Sequence, residues 1–339
     1  MFPLLLIITA TIASSSDQDV KRAVTRSLPY LEQGGLTWMK EQGCVSCHRI
    51  TFMIWSHNEA RLHGIDVDDD KVDRWTDWAF VSMLAKRKDG GGIDTMSQML
   101  LGRDRSSKWR KKPPLHFKTS DPYETLYDFL LERQSDDGSW PPEGQLTTPP
   151  EITTGWALFA LASRDDKEGD PAAGLIPAKD MGPPLEDQVE AIEERLPESR
   201  ERALAYLQNA EPHESNESLV LRAIRERTFD SQEQGPLLKR LISRQNVDGG
   251  WSNRLDQTES DAYATGQTLY GLSLIGVSHD HPAIRKARTF LLRTQLDDGS
   301  WLVPAQRARE GSRGESLDEV FTYWGSAWAA IGLLRTLAE

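Results

Sequence analysis

Two cysteines and a histidine form the stretch of the chain whose residue types and spacing most clearly predict chemistry. Cys44, Cys47 and His48 lie in the run Cys-Val-Ser-Cys-His, and the 339-residue sequence has 2 cysteines in all. Two thiols at this spacing can each bind one vinyl group on the same edge of a porphyrin, and the adjacent imidazole can then bind the iron. The pattern therefore predicts one covalently attached haem c, with His48 as the proximal ligand of the iron.

This run is similar to the haem-attachment motif of c-type cytochromes, and the resemblance implies electron transfer or haem-based sensing with a redox partner. Met96 is the candidate for the sixth iron ligand, with Met99 as the other methionine of the same short segment, although buried methionines are more often core residues. Three other interpretations of the cysteines remain open. They could form a dithiol redox couple, half of a zinc site completed by His57 or His63, or an inert remnant.

The overall composition limits the classes of partner. The formal net charge is −12, and so acidic a surface repels nucleic acid backbones and anionic lipid surfaces. The basic segment Arg103–Lys112 is interpreted as a solvated loop, with a docking site for carboxylates as the alternative. Residues 1–16 resemble a signal peptide, because an apolar run from Phe2 to Ile12 precedes small residues and is too short to span a bilayer. We therefore expect an exported, periplasmic protein without a membrane span in the mature chain.

A turn of the form Gln-x-x-Asp-Gly-(Ser/Gly)-Trp occurs three times and predicts the architecture. Each copy follows an amphipathic helical pattern and precedes a helix that is apolar nearly all round, as expected of an outer helix followed by a buried inner one. The Asp-Gly pair ends the first helix, and the Trp then covers it as a large apolar cap. The copies span Gln134–Trp140, Gln245–Trp251 and Gln295–Trp301.

These turns resemble the QW motif of squalene–hopene cyclases and related terpenoid cyclases, whose fold is shared by the β-subunits of protein prenyltransferases. The resemblance covers residues 120–338 well and 23–110 loosely. It implies an all-α fold, an α/α toroid of about six helical hairpins. The hairpins are predicted at 23–63, 71–101, 121–163, 198–229, 234–277 and 281–338.

The predicted domain organisation follows from the same patterns. It consists of a signal peptide at 1–16, N-terminal hairpins with the haem motif at 17–110, and QW-like repeats at 111–339 with an irregular insertion at 165–197. The hairpins are expected to form one continuous toroid over 23–338. In the first hairpin the haem motif replaces the turn, because Gln42 and His48 are as far apart in sequence as Gln134 and Trp140. The main functional prediction is therefore an exported toroid that carries haem c, with no catalytic residue assigned.

The resemblance also implies an alternative, a cyclase-like enzyme that acts on a polyprenyl substrate. Such enzymes protonate the substrate with an Asp-x-Asp-Asp motif, and Asp66–Asp70 fits that pattern, but its place between two helices is better explained by capping of the second one. A third interpretation is a non-catalytic toroid that binds a lipid or a protein partner. Six aromatic residues of the inner helices could line a cavity for an apolar ligand, and the alternative is that they simply fill the core. They are Trp156, Tyr263, Tyr270, Tyr323, Trp324 and Trp328.

Overall fold

The computed structural model describes residues 16–45, 49–86, 90–104, 121–143, 148–165, 184–229, 235–305 and 317–338. Within these ranges the chain forms twelve α-helices joined by turns and loops. Among them none combines the length and the apolar character needed to cross a bilayer. The helices are α1 Asp17–Gln42, α2 Ile50–Leu62, α3 Asp69–Phe80, α4 Ile93–Leu101, α5 Pro122–Glu132, α6 Pro150–Ala162, α7 Pro184–Asn209, α8 Asn216–Phe229, α9 Pro236–Ser243, α10 Ala262–Ile275, α11 Pro282–Thr294 and α12 Leu317–Leu334.

The even-numbered helices form a closed inner ring. Helix α2 contacts α4, and the contacts continue through α6, α8, α10 and α12 back to α2. Each odd-numbered helix packs outside the ring against the inner helix of the preceding hairpin, so that α1 packs against α12. Because an outer helix returns the chain between successive inner helices, the inner helices run parallel and their N-terminal ends lie at one end of the ring. The predicted all-α toroid of six helical hairpins is confirmed.

The repeated turn has the same hydrogen bonds in all three copies. In the last copy, the indole Nε1 of Trp301 donates to the carbonyl of Leu291 in α11 at 2.7 Å, and its backbone N–H donates to the hydroxyl of Ser326 in α12 at 2.9 Å. Trp140 and Trp251 make the equivalent bonds to their own outer and inner helices. The tryptophan is therefore a buried connector between the two helices of its hairpin.

The same turns also join neighbouring outer helices and close the ring. Gln295 donates from Nε2 to the carbonyl of Gly299 at 3.0 Å and to that of Ala23 in α1 at 2.9 Å. Gly299 has a φ of +86°, and a Cβ atom there would lie 2.1 Å from the carbonyl oxygen of Arg26. Only glycine combines this backbone conformation with so close an approach. The last turn thus attaches α11 to α1 as the other two attach α5 to α7 and α9 to α11.

Helix α7 begins earlier than the sequence pattern predicted. The stretch 165–197 was expected to be irregular, but α7 starts at Pro184 and includes Pro197. The turns around Pro197 bury Ile192, Leu196 and Ala203, which lie on one helical face. The proline and the many acidic residues mask this apolar face in the sequence.

The inner ring is tightest between α10 and α12. A Cβ atom at Gly266 would lie 2.3 Å from the backbone carbonyl of Trp328, and one at Gly332 would lie 2.4 Å from the carbonyl oxygen of Gly266. Glycine at both positions lets the two backbones approach closely.

Candidate functional site

A depression on the ring axis, which we call the axial pit, lies between the N-terminal halves of the inner helices. Five helices each contribute one wall residue: Asp94 of α4, Trp156 of α6, Glu217 of α8, Tyr263 of α10 and Trp324 of α12. All of them except Tyr263 keep part of their surface exposed, although they lie at the centre of the toroid. The pit therefore presents two carboxyl groups among aromatic rings.

Glu217 is held by hydrogen bonds from both neighbouring inner helices. Trp156 donates from Nε1 to Oε1 of Glu217 at 2.7 Å, and the hydroxyl of Tyr263 donates to Oε2 at 3.2 Å. Burial raises the pKa of the Glu217 carboxyl above its usual range, and the polar side chains of Trp156, Tyr263 and Gln267 beside it oppose the rise. The carboxyl is thus fixed in position and readier to hold a proton than an exposed glutamate.

Asp94 is the most strongly perturbed acid of the pit. Burial raises its pKa from 3.8 to about 7, and the charges of Glu217 and Glu143 contribute to the rise. Asp94 lies in the first turn of α4, where the helix dipole favours the charged form. Loss of hydration and repulsion between carboxylates outweigh that dipole, so Asp94 holds its proton up to near-neutral pH.

The floor of the pit is a cluster of aromatic rings on the axis. Trp156 stacks on Trp328 with ring centroids 5.5 Å apart, and this pair joins two helices that face each other across the ring. Beneath it, Trp328 contacts Trp55 of α2 at 5.2 Å and Tyr270 of α10 at 5.5 Å. Trp55, Tyr270 and Trp328 are each at most 3% exposed. Buried rings thus occupy the axis below the partly exposed wall residues.

The six aromatic residues predicted to line a cavity divide between the pit and the core. Trp156, Tyr263 and Trp324 form its walls. Tyr270 and Trp328 belong to the buried floor. That these residues surround a space for an apolar ligand stays a prediction for the wall residues, whereas the floor residues fill the core.

Tyr323 is the sixth of these residues, and it lies between helices rather than in the pit. Its hydroxyl donates to the carbonyl of Leu31 in α1 at 2.8 Å, and the guanidinium of Arg49 lies 4.3 Å from its ring centroid. These contacts attach α12 to α1 and to the start of α2, so Tyr323 has a structural role.

The run Asp66–Asp70 lies outside the pit, as the capping interpretation predicts. Asp68 is the N-cap of the outer helix α3, and its side chain accepts the N–H of Lys71 at 3.1 Å. Asp69 pairs with Arg61 at 2.9 Å. The Asp-x-Asp-Asp pattern is therefore a helix cap here, and the acids of the pit are different residues.

Sequence reasoning missed Asp94 and Glu217. Each occurs singly in the first turn of an inner helix, where an acid is ordinarily explained by the helix dipole. Their position in the repeat could have indicated them. Both residues lie at the start of an inner helix, and in a toroid the starts of all the inner helices lie at the same end of the ring. Gly90-Gly91-Gly92, which precedes α4, also marks a close backbone approach.

Comparison with known proteins finds sequence matches between parts of this chain and cyclases. Residues 209–301 match the model of the squalene–hopene cyclase N-terminal domain. A cycloartenol synthase of Dictyostelium discoideum is 44% identical over 61 residues, which are 18% of this chain and 8% of that protein. A squalene–hopene cyclase of Zymomonas mobilis subsp. mobilis is 33% identical over 95 residues, which are 28% of this chain and 14% of that protein. The matches thus cover a small part of each enzyme.

Two solved structures resemble the whole chain. A candidate member of the GH105 family from Salmonella enterica subsp. enterica serovar Paratyphi A has a TM-score of 0.56 at 14% identity, covering 99% of this chain and 98% of that one. A type II terpene cyclase from Scytonema, in complex with geranylgeranyl dihydroxybenzoate, has a TM-score of 0.53 at 12% identity, covering 94% and 98%. The fold is an α/α toroid of the terpene-cyclase type. At these identities the structural likeness concerns the fold alone.

These findings correct the main functional prediction. The sequence matches are to cyclases, so the predicted haem c cofactor, iron-binding role and electron transfer are wrong, and the cyclase-like alternative is favoured. The predicted redox partner has no support. In the part of the chain that the structure describes, no group of three or more His, Cys, Asp and Glu residues is arranged to hold a metal ion. Cys47 and His48 lie outside the described residues.

The two described residues of the haem prediction occupy ordinary packing positions. Cys44 is half-buried after the end of α1, and its carbonyl accepts the indole N–H of Trp38 at 3.1 Å. Met96, the predicted sixth ligand, is 0% exposed, and its sulfur packs so closely against Gly90 that a Cβ there would lie 2.8 Å away. Met96 is therefore a core residue.

The zinc alternative is also unsupported among the described residues. His57 is buried, and its Nδ1 lies 2.7 Å from the carbonyl oxygen of Met53. Burial lowers the pKa of His57 to about 4. His63 contacts Glu59 at 3.3 Å at the opposite end of α2 from the cysteines. Both histidines thus have local structural partners.

Proposed function

We propose that the axial pit binds an apolar polyprenyl chain and that the carboxyl of Asp94 protonates a double bond of that chain, in an acid-initiated, cyclase-like reaction. The observation that carries the proposal is Asp94, a carboxyl with a pKa of about 7 that faces an aromatic pit. An acid in this position is protonated in about half of the molecules at pH 7. The matches to cyclases of squalene and related substrates support the same substrate class.

The chemistry requires one proton to be delivered and one to be returned. The O–H bond of the Asp94 carboxyl breaks, a C–H bond forms at one alkene carbon, and the π electrons leave a cation at the other carbon. A further alkene attacks that cation, and loss of a proton from carbon to water ends the sequence. Water at the open end of the pit then restores the proton of Asp94. A raised pKa increases the protonated fraction and weakens the acid, so a value near 7 balances the two effects.

The aromatic residues of the pit can stabilise the cation and exclude water. The faces of Trp and Tyr rings attract a cation within about 6 Å, with an energy of about 2 kcal/mol when it is desolvated. Trp156 and Trp324 are wall residues of the pit, as Asp94 and Glu217 are, and Trp328 lies in its floor. Glu217 supplies a second carboxyl, positioned by its two hydrogen bonds, that can balance positive charge as it develops.

The proposal also includes export of the chain. It rests on the apolar run from Phe2 to Ile12, which lies outside the described residues. Helix α1 begins at Asp17 with Ser16 as its N-cap, so a chain that starts near this residue keeps the whole of α1.

The test is a product assay on purified protein. Prenyl substrates of 10 to about 30 carbons are incubated with wild type, Asp94→Asn and Glu217→Gln, and cyclic products are detected by gas chromatography with mass spectrometry. We expect Asp94→Asn to lower turnover by about a hundredfold or more, in the usual range for loss of an acid. Asp68→Asn, on the outer helix cap, is the matched control and should retain activity. Binding without any turnover in wild type, or full activity in Asp94→Asn, would refute the catalytic proposal.

A further inference from the structure

We propose that Arg133 is a positioning residue for Asp94, because it holds the carboxylate of Glu143 against the start of α4 and thereby sets the pH range over which Asp94 keeps its proton. The inference rests on the proposed function, since it concerns the regulation of the acid of the same pit. Neither Arg133 nor Glu143 takes part in the proton transfer itself.

The side chain of Arg133 joins two connections that lead into inner helices. Arg133 is the C-cap of α5. Its Nη1 donates to the carbonyl of Gly91, in the connection into α4, and to Oε2 of Glu143 at 3.1 Å, in the connection into α6. A guanidinium has several N–H donors in a fixed plane and therefore suits contact with two acceptors at once. Arg133 thus ties Glu143 to the segment that immediately precedes α4.

Glu143 packs directly against the residue before α4. A Cβ atom at Gly92, the N-cap of this helix, would lie 3.3 Å from the backbone carbonyl oxygen of Glu143 and 3.8 Å from its Oε2. Glycine lets the two connections approach this closely. Asp94 is the second residue of α4. The carboxylate of Glu143 is therefore held beside the residue two positions before Asp94.

The repeated turn does not itself require an arginine at this position. The residue before the conserved glutamine of the turn is Arg133, Arg244 or Thr294 in the three copies. The copy with threonine keeps the hydrogen bonds of its glutamine and tryptophan. Arg244 donates to the carbonyl of Leu255, in the connection that follows its own turn. Only Arg133 of these three residues contacts the connection into α4, so its role concerns that helix rather than the turn.

Two carboxylates act on Asp94, and they are held in different ways. Glu217 of α8 and Glu143 add to the effect of burial, which raises the pKa of Asp94 to about 7. Helices α2, α5 and α6 also pack against α4, and none of their described charged side chains contributes to this rise. Glu217 is fixed by hydrogen bonds from α6 and α10. Glu143 is 39% exposed, and its ion pair with Arg133 keeps its charge close to α4.

The experiment measures the pKa of Asp94 directly, by carbon NMR of the full chain with labelled aspartate carboxyl groups. The resonance of Asp94 is the one that Asp94→Asn removes. Glu143→Gln should lower this pKa by about 0.5 or more, because a partly screened negative charge is lost. In the Arg133→Met background the same substitution should lower it by less than about half as much, since Glu143 is no longer held beside α4.

Matched variants control for charge and for stability. Glu132→Gln removes the same charge from an exposed residue next to Arg133 and should leave the pKa of Asp94 unchanged. Arg244→Met removes the equivalent arginine of the next turn, and in that background Glu143→Gln should keep its full effect. Arg133→Lys keeps a positive charge for Glu143 and should also preserve the effect. It serves as the second variant if the Arg133→Met protein folds poorly.

The outcomes separate this inference from the proposed function. If Glu143→Gln leaves the pKa of Asp94 unchanged, or lowers it equally with and without Arg133, the positioning role is overturned. The titration needs no substrate, so absence of turnover in wild type overturns the proposed function alone. In an active protein, the loss of activity at high pH should move to lower pH in Glu143→Gln by the same amount as the titration, because the acid must be protonated to react.

Discussion

Replacing Asp94 by asparagine should stabilise the folded protein, and by more as the pH rises. Burial, with the nearby charges of Glu217 and Glu143, raises the folded-state pKa of Asp94 from 3.8 to about 7. The folded protein therefore keeps this proton when the unfolded chain has lost it, so the free energy of unfolding falls as the pH rises through this window. At a pH above both values the cost is about 4 kcal/mol, at 1.36 kcal/mol for each pKa unit.

The measurement compares the two proteins at about pH 4.5 and about pH 8. Between these conditions the advantage of Asp94→Asn over wild type should grow by about 3 kcal/mol, since part of the cost is already present at the lower pH. For a chain of 339 residues this corresponds to about 4 °C in melting temperature, from an unfolding entropy of about 2.1 cal/mol/K per residue. The comparison across pH cancels any effect of the asparagine that does not depend on ionisation.

Thr95→Val is the matched control for this prediction. Thr95 is a buried neighbour in the same helix and carries no titrating group, so its effect on stability should be the same at both pH values. If the difference between Asp94→Asn and wild type were also the same at both, Asp94 would be ionised in the folded protein throughout. It could not then be the acid of the proposed reaction.

Three further predictions concern the scaffold and are checked by urea denaturation. Trp251→Phe should cost about 2–4 kcal/mol, because it leaves a cavity and an unpaired carbonyl in a buried turn; an effect below that range would mean that the turn is not a connector. Gly266→Ala should cost at least about 2 kcal/mol, since the new Cβ would lie 2.3 Å from the carbonyl of Trp328; an unchanged midpoint would show that α10 and α12 can separate freely. Asp17→Asn should cost about 1 kcal/mol, because the buried Arg288 loses the carboxylate that it meets at 2.7 Å while Asp17 itself is half-exposed; wild-type stability would show that ring closure does not depend on this pair.

The number and order of the hairpins could be predicted because the repeated turn marks the same position in each hairpin where it occurs. In the last copy of the turn, Gln295 and Trp301 make defined hydrogen bonds and Gly299 adopts a backbone conformation that favours glycine. The same three residue types occur at the same spacing in every copy. A helix before and a helix after each copy then follow from periodicity alone. The number of hairpins also predicts that the array closes into a ring, since with six hairpins the last outer helix, α11, contacts the first, α1.

The position of the site could not be predicted in the same way. The inner helices are apolar nearly all round, so periodicity does not show which of their residues face the axis. Tyr323 and Trp324 are adjacent in sequence, yet one contacts α1 and the other faces the pit. Asp94 and Glu217 likewise meet only after the ring has closed. The haem prediction was wrong because it depended on five consecutive residues, whereas the repeats that determine the fold extend over most of the chain.

The direction of the inner helices explains why the acids and the opening of the pit occur at the same end. Parallel inner helices place all their N-terminal dipoles at one end of the ring, where they favour negative charge. Carboxyl groups at helix starts therefore accumulate there and, once buried, repel one another. At the pit these opposed effects leave Asp94 with a pKa near neutrality, while the stacked pair of Trp156 and Trp328 closes the axis below. A toroid of this kind thus creates a one-sided acidic pocket from its topology, and the residues that line the pocket determine which molecule it binds.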